Sequence, residues 1–568
     1  MSVNVRQRSE SLLTITSVKT LAISPQSSFS ILRHLSSGTA LKIGLGTTHS
    51  AHLPDCRGRS DYSYTRGDSI LKMLARLLGF EHPPQFRFLG KWEFMVMFRE
   101  SIKLSFEPVF VRRLLATAIP VCLQTLMFSS RSLADIMMTA HLGLSEVAAI
   151  GFSGRIIFVM NLAIFGIASG GGVIISQQWG AKFRDQARRS TGIALLLGLP
   201  FAAVFVGLCA LIPDALVGLA STDASVIELG STYLRIAGLM AFPLTIGTVF
   251  SVALRSIGLA KISMRLSIVG VGSNLLLNYM LIFGAWGMPR LGLEGAAYAT
   301  LISSLLETGC GIAYIYMRKS SLAFSLADIR EGIRSGLCRK IANVAIPLAI
   351  NGVVWSFGVL VYNILVGRMG TSELAVLSMI TPIESIIVAL YVGIATAASV
   401  ITGHRLGAEE YSDAWSEGKA FFVWSVLCAI FSSILIWSAR GLILSFYPAI
   451  EGDTLTDATQ VLTALALVSG FRSVNITVIV GLLRSGGDTR FCLGLDLFCQ
   501  WAVGILLTYL TAFVWHMPLY IVFLAINSEE FVKLFLCVYR FSSKKWIRNL
   551  VKPERLVPAT ECGCNTVG

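Results

Sequence analysis

The sequence predicts an all-α membrane protein whose twelve transmembrane helices form two six-helix, pseudo-symmetric lobes. Three observations predict it. The chain is 54% hydrophobic and only 14% charged, with a mean hydropathy of +0.69, whereas the surface of a soluble protein needs about 25% charged residues. Apolar runs of about twenty residues, enough to cross ~30 Å of hydrocarbon, recur between Leu114 and Val538. One set of residues also occurs twice without a gap. A step of 227 carries Pro120 to Pro347, Gly143 to Gly370, Ser145 to Ser372, Glu146 to Glu373, Gly180 to Gly407 and Ala181 to Ala408. Duplicated apolar bundles place a site between two related lobes.

In chain order, residues 1–107 come first, and they carry no spanning run. Residues 1–70 are rich in Ser, Thr, Arg and Gly and poor in acid over the first fifty, which suits a poorly structured tail, an organelle-targeting segment, or upstream sequence read from too early a start. Met73, Met95 and Met97 would each leave the bundle whole. Phe86, Phe88, Trp92, Phe94 and Phe98 lie among basic residues and suit an interfacial helix over 85–109. The N-terminal lobe (108–317) holds spans at 114–140, 146–177, 188–211, 229–254, 262–283 and 292–317. A polar, basic linker (318–341) follows. The C-terminal lobe (342–540) holds spans at 339–366, 372–402, 417–438, 456–482, 490–513 and 518–540, and 541–568 is read as a cytoplasmic tail. A second echo, Leu254-Arg-Ser256 against Leu483-Arg-Ser485, is offset by 229. Six spans per unit bring both units in from the same side, which relates them by an axis along the membrane normal.

Charge sets the orientation. Lys182, Arg184, Arg188, Arg189, Arg255, Lys261 and Arg265 surround the even-numbered loops and Arg318, Lys319, Arg330, Arg334, Arg339 and Lys340 crowd the linker, while the odd-numbered loops are nearly bare. The positive-inside rule puts both termini on the cytoplasmic side. The net charge of +14 is then topology and a basic N-terminal segment, with no nucleic-acid partner. The eleven cysteines are scattered without metal-ligand spacing, and no metal site is expected. There is no GxxxxGK[ST] loop and no HExxH among the seven histidines, which speaks against an ATP-driven pump and against a metal-dependent membrane enzyme.

An ionised carboxylate inside a span needs an aqueous cavity, a partner or a proton. Asp135 leads these groups, fifteen residues beyond Pro120, whose missing backbone N–H makes a bend or hinge in the first span inexpensive. Asn274 and Asn278, four apart, share one face of the fifth span, and Thr300 in the sixth completes a polar cluster that would tune Asp135. Glu384 ranks second, and Glu307 and Asp496 are further embedded acids. Flat organic cations want aromatic walls, for which Phe152, Trp355 and Tyr391, with Phe158 and Phe357, lie on suitable spans.

Leu133-Ala-Asp-Ile-Met-Met138, Gln178-Trp-Gly-Ala181, Gly403-His-Arg-Leu-Gly407, Tyr233-Leu-Arg235, Asn274-Leu-Leu-Leu-Asn278 and Gly295-Ala-Ala-Tyr-Ala-Thr300, in this order and spacing, resemble the multidrug and toxic compound extrusion (MATE) family over about 108–540. The resemblance implies a two-lobe antiporter that expels organic, often cationic, compounds in exchange for H+ or Na+. It matches the family's N-terminal-lobe cation site at Asp135, Asn274 and Thr300 and the bending proline at Pro120. A second acid of that site is replaced by Asn278, and the C-terminal-lobe carboxylates of another branch are replaced by Asn351 or Trp355 and by Ser473. No cofactor is expected beyond the coupling ion. The expected partners are a small organic substrate and membrane lipid, the expected state a monomer, and the expected location a bacterial cell membrane or, given the N-terminal segment, an organelle envelope. A lipid-linked-sugar flippase of similar design and a polytopic membrane enzyme are the rival readings.

Overall fold

The computed structural model describes residues 102–139, 141–218, 223–446 and 452–551, and among these no strand occurs. The expectations for residues 1–101 and 552–568 lie outside the described residues. Among the described residues twelve spans run in order: α1 (Pro108–Thr139), α2 (Leu144–Gly180), α3 (Arg184–Leu211), α4 (Ala224–Ser256), α5 (Ala260–Phe283), α6 (Gly292–Met317), α7 (Leu337–Met369), α8 (Thr371–Gly407), α9 (Tyr411–Ser445), α10 (Thr454–Gly486), α11 (Thr489–Val514) and α12, which is made of Leu519–Ile526 and Ser528–Ser542. Ten of these are long and apolar enough to span by composition alone. The others are α6, with Glu294 and Glu307, and α12, whose two pieces meet at Asn527 and which carries Glu529, Glu530 and Lys533.

The repeated residues mark equivalent structural points. Pro120 lies inside α1 and Pro347 inside α7. Gly143 and Gly370 precede the second helix of each half, and the side chains of Glu146 and Glu373 fold back over them, occupying the place a Cβ would take. A carboxylate in the first turn also favours the positive end of the helix dipole. Both second helices end in the same way: Lys182 and Glu409, again 227 apart, take left-handed conformations at φ 64° and 65°.

The lobes interlock at the end that carries the basic loops. The first half of α1 (Phe110, Leu114, Ala118) is buried in the C-terminal core beside α8 and α9. The first half of α7 (Leu337, Ile341, Val344, Leu348) is buried beside α2 and α3 of the N-terminal lobe. Small residues permit the approach: a Cβ on Gly170 would stand 2.4 Å from the Ala345 Cα, one on Gly166 2.6 Å from the Ala349 backbone, and one on Gly393 2.7 Å from the Ala118 carbonyl oxygen.

Two features were not foreseen. Within the linker, Leu326–Arg334 is a helix closed by a capping box, in which the Ser325 side chain accepts from Asp328 N–H and Asp328 accepts from Ser325 N–H. Arg188 on α3 donates to the same carboxylate through Nε and Nη2 at 3.1 and 3.0 Å. In the C-terminal lobe, α10 contains a π-helical stretch at Thr477–Leu483 and α11 contains others at Phe498–Gly504 and Leu510–Val514.

Because the Ala345 backbone cannot retreat, Gly170→Ala should cost about 1–3 kcal/mol through overpacking. Gly272→Ala on α5, where a Cβ meets nothing within 4 Å, should be neutral or stabilise by up to ~1 kcal/mol. Thermal unfolding in detergent compares them.

Burial alone would raise the Asp328 carboxyl, but the Ser325 N–H and the Arg188 guanidinium outweigh it and hold it below its usual range. A lowered folded value means that this contribution is full above the unfolded value of about 4. It is lost as pH falls through the folded value. Protease sensitivity of the linker should therefore rise in acid, and Asp328→Asn should raise it at neutral pH and remove most of the pH dependence.

Candidate functional site

Asp135 stands near the end of α1 remote from the basic loops, one turn beyond Arg131. The side chains expected to share a site with it do meet. Asn278 Nδ2 donates to Asp135 Oδ1 at 2.5 Å and to Asn274 Oδ1 at 3.3 Å, and Asn274 Nδ2 donates to Thr300 Oγ1 at 3.5 Å. Tyr233 on α4, which the sequence offered only as part of a motif, is buried close to Thr300 and Asp135. Four helices of one lobe thus converge on one carboxylate. The two asparagines are fully buried, yet Asn278 Oδ1 has no partner, so an oxygen acceptor lies free beside the acid. Glu307, on α6, is instead held by Ser267 at 2.9 Å.

The C-terminal lobe handles charge differently. Arg472 on α10 lies 3.4 Å from Glu384 and 3.7 Å from Glu530, and donates to Asn527 at 2.8 Å. Lys533 lies 3.3 Å from Asp496 and 3.5 Å from Glu529, and Arg484 lies 3.9 Å from Asp496. Asn351 bridges the last pair, donating to Asp496 at 2.7 Å and accepting from Arg484 at 3.2 Å. Glu384 therefore belongs to an ion-pair network and is not a lone carboxylate. Asn351 belongs to the other cluster, with Asp496, Arg484 and Lys533, and does not touch Glu384. Glu529, Glu530 and Lys533 went unremarked in the sequence, although a Glu and a Lys four apart inside an apolar run signal an intrahelical pair.

The aromatic residues separate. Trp355 on α7 is partly exposed, and its ring centroid lies 6.4 Å from that of Phe158 on α2, across the two lobes. Phe152 packs against the N-terminal core. Tyr391 does not line a cavity. Its ring is fully buried in the C-terminal core and its hydroxyl is 2.5 Å from Ser432 Oγ, because residue 391 falls on the face of α8 turned toward α9.

The MatE family model matches residues 120–280 and again 347–510, each match beginning at one of the paired prolines. An uncharacterized transporter of Bacillus subtilis, YisQ, is 24% identical over 447 residues, 76% of this chain and 93% of that protein. The probable multidrug resistance protein NorM of Burkholderia pseudomallei is 27% identical over 401 residues, 70% of this chain and 85% of that protein. Among solved structures, an outward-facing multidrug resistance MATE family transporter of the MOP superfamily superposes with a TM-score of 0.69 at 19% identity, covering 76% of this chain and 96% of that one. A MOP superfamily transporter from Pyrococcus furiosus gives 0.69 at 20% identity, covering 78% and 96%.

Removing a buried cation strands its partners. Lys533→Met leaves Asp496 and Glu529 without their shared ammonium and should destabilise by about 3–5 kcal/mol. Arg235→Gln breaks the exposed 3.8 Å pair with Asp214 and should cost under ~1 kcal/mol. Melting of the two purified variants tests the contrast.

Proposed function

The chain belongs to the MatE family, and from that premise we propose that it is a secondary active antiporter that exports organic, drug-like compounds in exchange for H+ or Na+. The observation that carries this reading is the convergence of Asn278, Asn274, Thr300 and Tyr233 on the embedded Asp135. An ionised Asp135 accepts from the Asn278 amide. A protonated Asp135 becomes a donor, and turning the same amide over presents its free Oδ1 to the acid. A bound cation would take that oxygen and the carboxylate together. One site thus accommodates both charge states, which coupling demands. Pro120, lower on the same helix, supplies the bend through which the ion would change lobe packing.

The many basic loop residues favour the cytoplasm for the interlocked end, so the lobes are held together on that side. Trp355 and Phe158, in ring contact across the lobes, would offer a flat compound one shared aromatic surface. The location that fits the bacterial relatives is the bacterial cell membrane. A potential of 100 mV supplies about 2.3 kcal/mol per charge, roughly a fifty-fold concentration ratio. A lipid-linked-sugar flippase would want free cations for a pyrophosphate, and Arg472, Arg484 and Lys533 are each already held by carboxylates. A second reading puts the coupling ion in the C-terminal network, where Glu384, Asp496, Glu529 and Glu530 outnumber Arg472, Arg484 and Lys533 by one charge.

Transport by purified protein in liposomes, with proton and sodium gradients imposed separately, decides between them. Asp135→Asn should keep membrane abundance and substrate binding while gradient-driven export falls at least about tenfold. Glu384→Gln should be milder. Wild-type export by Asp135→Asn together with loss in Glu384→Gln moves the coupling site to the C-terminal lobe.

A further inference from the structure

Two interactions that copy each other close the interlocked end. On α2, Gln177 Nε2 donates to the Ser485 carbonyl oxygen at 2.7 Å. On α8, His404 Nε2 lies 2.7 Å from the Ser256 carbonyl oxygen. Residues 177 and 404 are 227 apart and residues 256 and 485 are 229 apart, the two offsets that relate the halves of the chain. Each side chain leaves its own lobe for the carbonyl at the end of a helix in the other. Since a carbonyl only accepts, His404 carries a proton on Nε2, and it does there what the amide of Gln177 does in the sister position.

The seam between the two bonds has no slack. A Cβ on Gly180 would stand 2.0 Å from the His404 carbonyl oxygen, and one on Gly407 1.8 Å from that of Gln177. Gln177 has no exposed surface, and its remaining capacity is taken by the chain that follows α12: Gln177 Oε1 accepts from Leu550 N–H at 2.7 Å and Nε2 also donates to the Arg548 carbonyl at 3.2 Å. Neither side chain touches the Asp135 cluster or the C-terminal ion pairs through any of these bonds.

We propose that Gln177 and His404 are a reciprocal latch, positioning residues that hold the basic end of the two lobes shut and must both release for that end to open. The pseudo-two-fold relation makes the release concerted: separating α2 from α8 at the glycine crossing breaks both bonds together, so each adds to the cost of opening. The requirement on each residue is a side-chain N–H donor of the right reach and not a particular residue type. His404→Gln should therefore preserve the latch, whereas shortening or removing either side chain should weaken it. This inference does not depend on which ion or compound is carried.

The test uses the full chain in lipid nanodiscs without cargo or gradient. Ser176, buried on α2 with its Oγ facing Gly403, is replaced in Ser176→Cys as the reporter of opening, and an impermeant maleimide reads its exposure above the background of the native cysteines. Labelling should be slow in the parent, about tenfold faster in Gln177→Ala and in His404→Ala, as expected for loss of one buried hydrogen bond or more, and slow again in His404→Gln. Gln177→Asn, one methylene short of Ser485, replaces Gln177→Ala if that variant does not fold. Unchanged labelling in the shortened variants, or labelling of His404→Gln as fast as that of His404→Ala, overturns the latch. The reading of Asp135 stands or falls separately, on gradient-driven export.

Discussion

Backbone contact between α2 and α8 at Gly180 and Gly407 is the constraint on which the two-lobe arrangement depends. With a Cβ at either position placed within 2.0 Å of a carbonyl oxygen on the other helix, only glycine allows these helices to cross where they do. Because they cross there, the first half of α1 lies in the C-terminal core and the first half of α7 in the N-terminal lobe. Each half of the chain thus lends part of its first helix to the other. Beyond this exchange α2 and α7 stay in contact across the lobes, through Gly352 against Leu162 and Trp355 against Phe158. In a bilayer, where lipid tails are as apolar as the side chains, close packing of small residues does what the hydrophobic effect does in water.

The lobes solve the problem of embedded charge in opposite ways. The N-terminal lobe sets Asp135 beside neutral amides and hydroxyls, which can donate or accept as the acid changes state, with Arg131 one turn away. The C-terminal lobe sets carboxylates against guanidinium and ammonium groups and fills the gaps with Asn351, Asn475 and Asn527. Such a network resists change, because each ion is stranded when its partner leaves. Adaptability in one lobe and rigidity in the other follow from the residue types.

Much of this was legible in the sequence because bilayer thickness, loop charge and a gapless repeat are properties of the linear chain. The twelve spans could be placed from hydropathy, and the Asp135 cluster from a four-residue spacing on α5 together with the family resemblance. What could not be read depends on rotation and distance. Tyr391 sits on a span that offers a cavity wall and a core face alike, and only the packing of α9 selects the core. Glu384 could be ranked as an embedded acid, but which partner holds it depends on Arg472, 88 residues away. The linker helix was hidden by its shortness, although Ser325 and Asp328 form a capping pair that a search for helix starts would have caught.

The π-helical turn at Thr477–Leu483 records how the two halves have diverged since they were one. Gly180 and Gly407 are 227 apart and Ser256 and Ser485 are 229 apart, so the second half is two residues longer between those landmarks. An added residue in an unbroken α-helix swings everything after it by about 100°. A widened turn takes up such a residue locally and leaves the downstream face where it was. The wide turn in α10 ends two residues before Ser485, and the Ser485 carbonyl still meets Gln177 as the Ser256 carbonyl meets His404. The halves thus differ in length between these landmarks and still make matching contacts where Gln177 and His404 cross between the lobes.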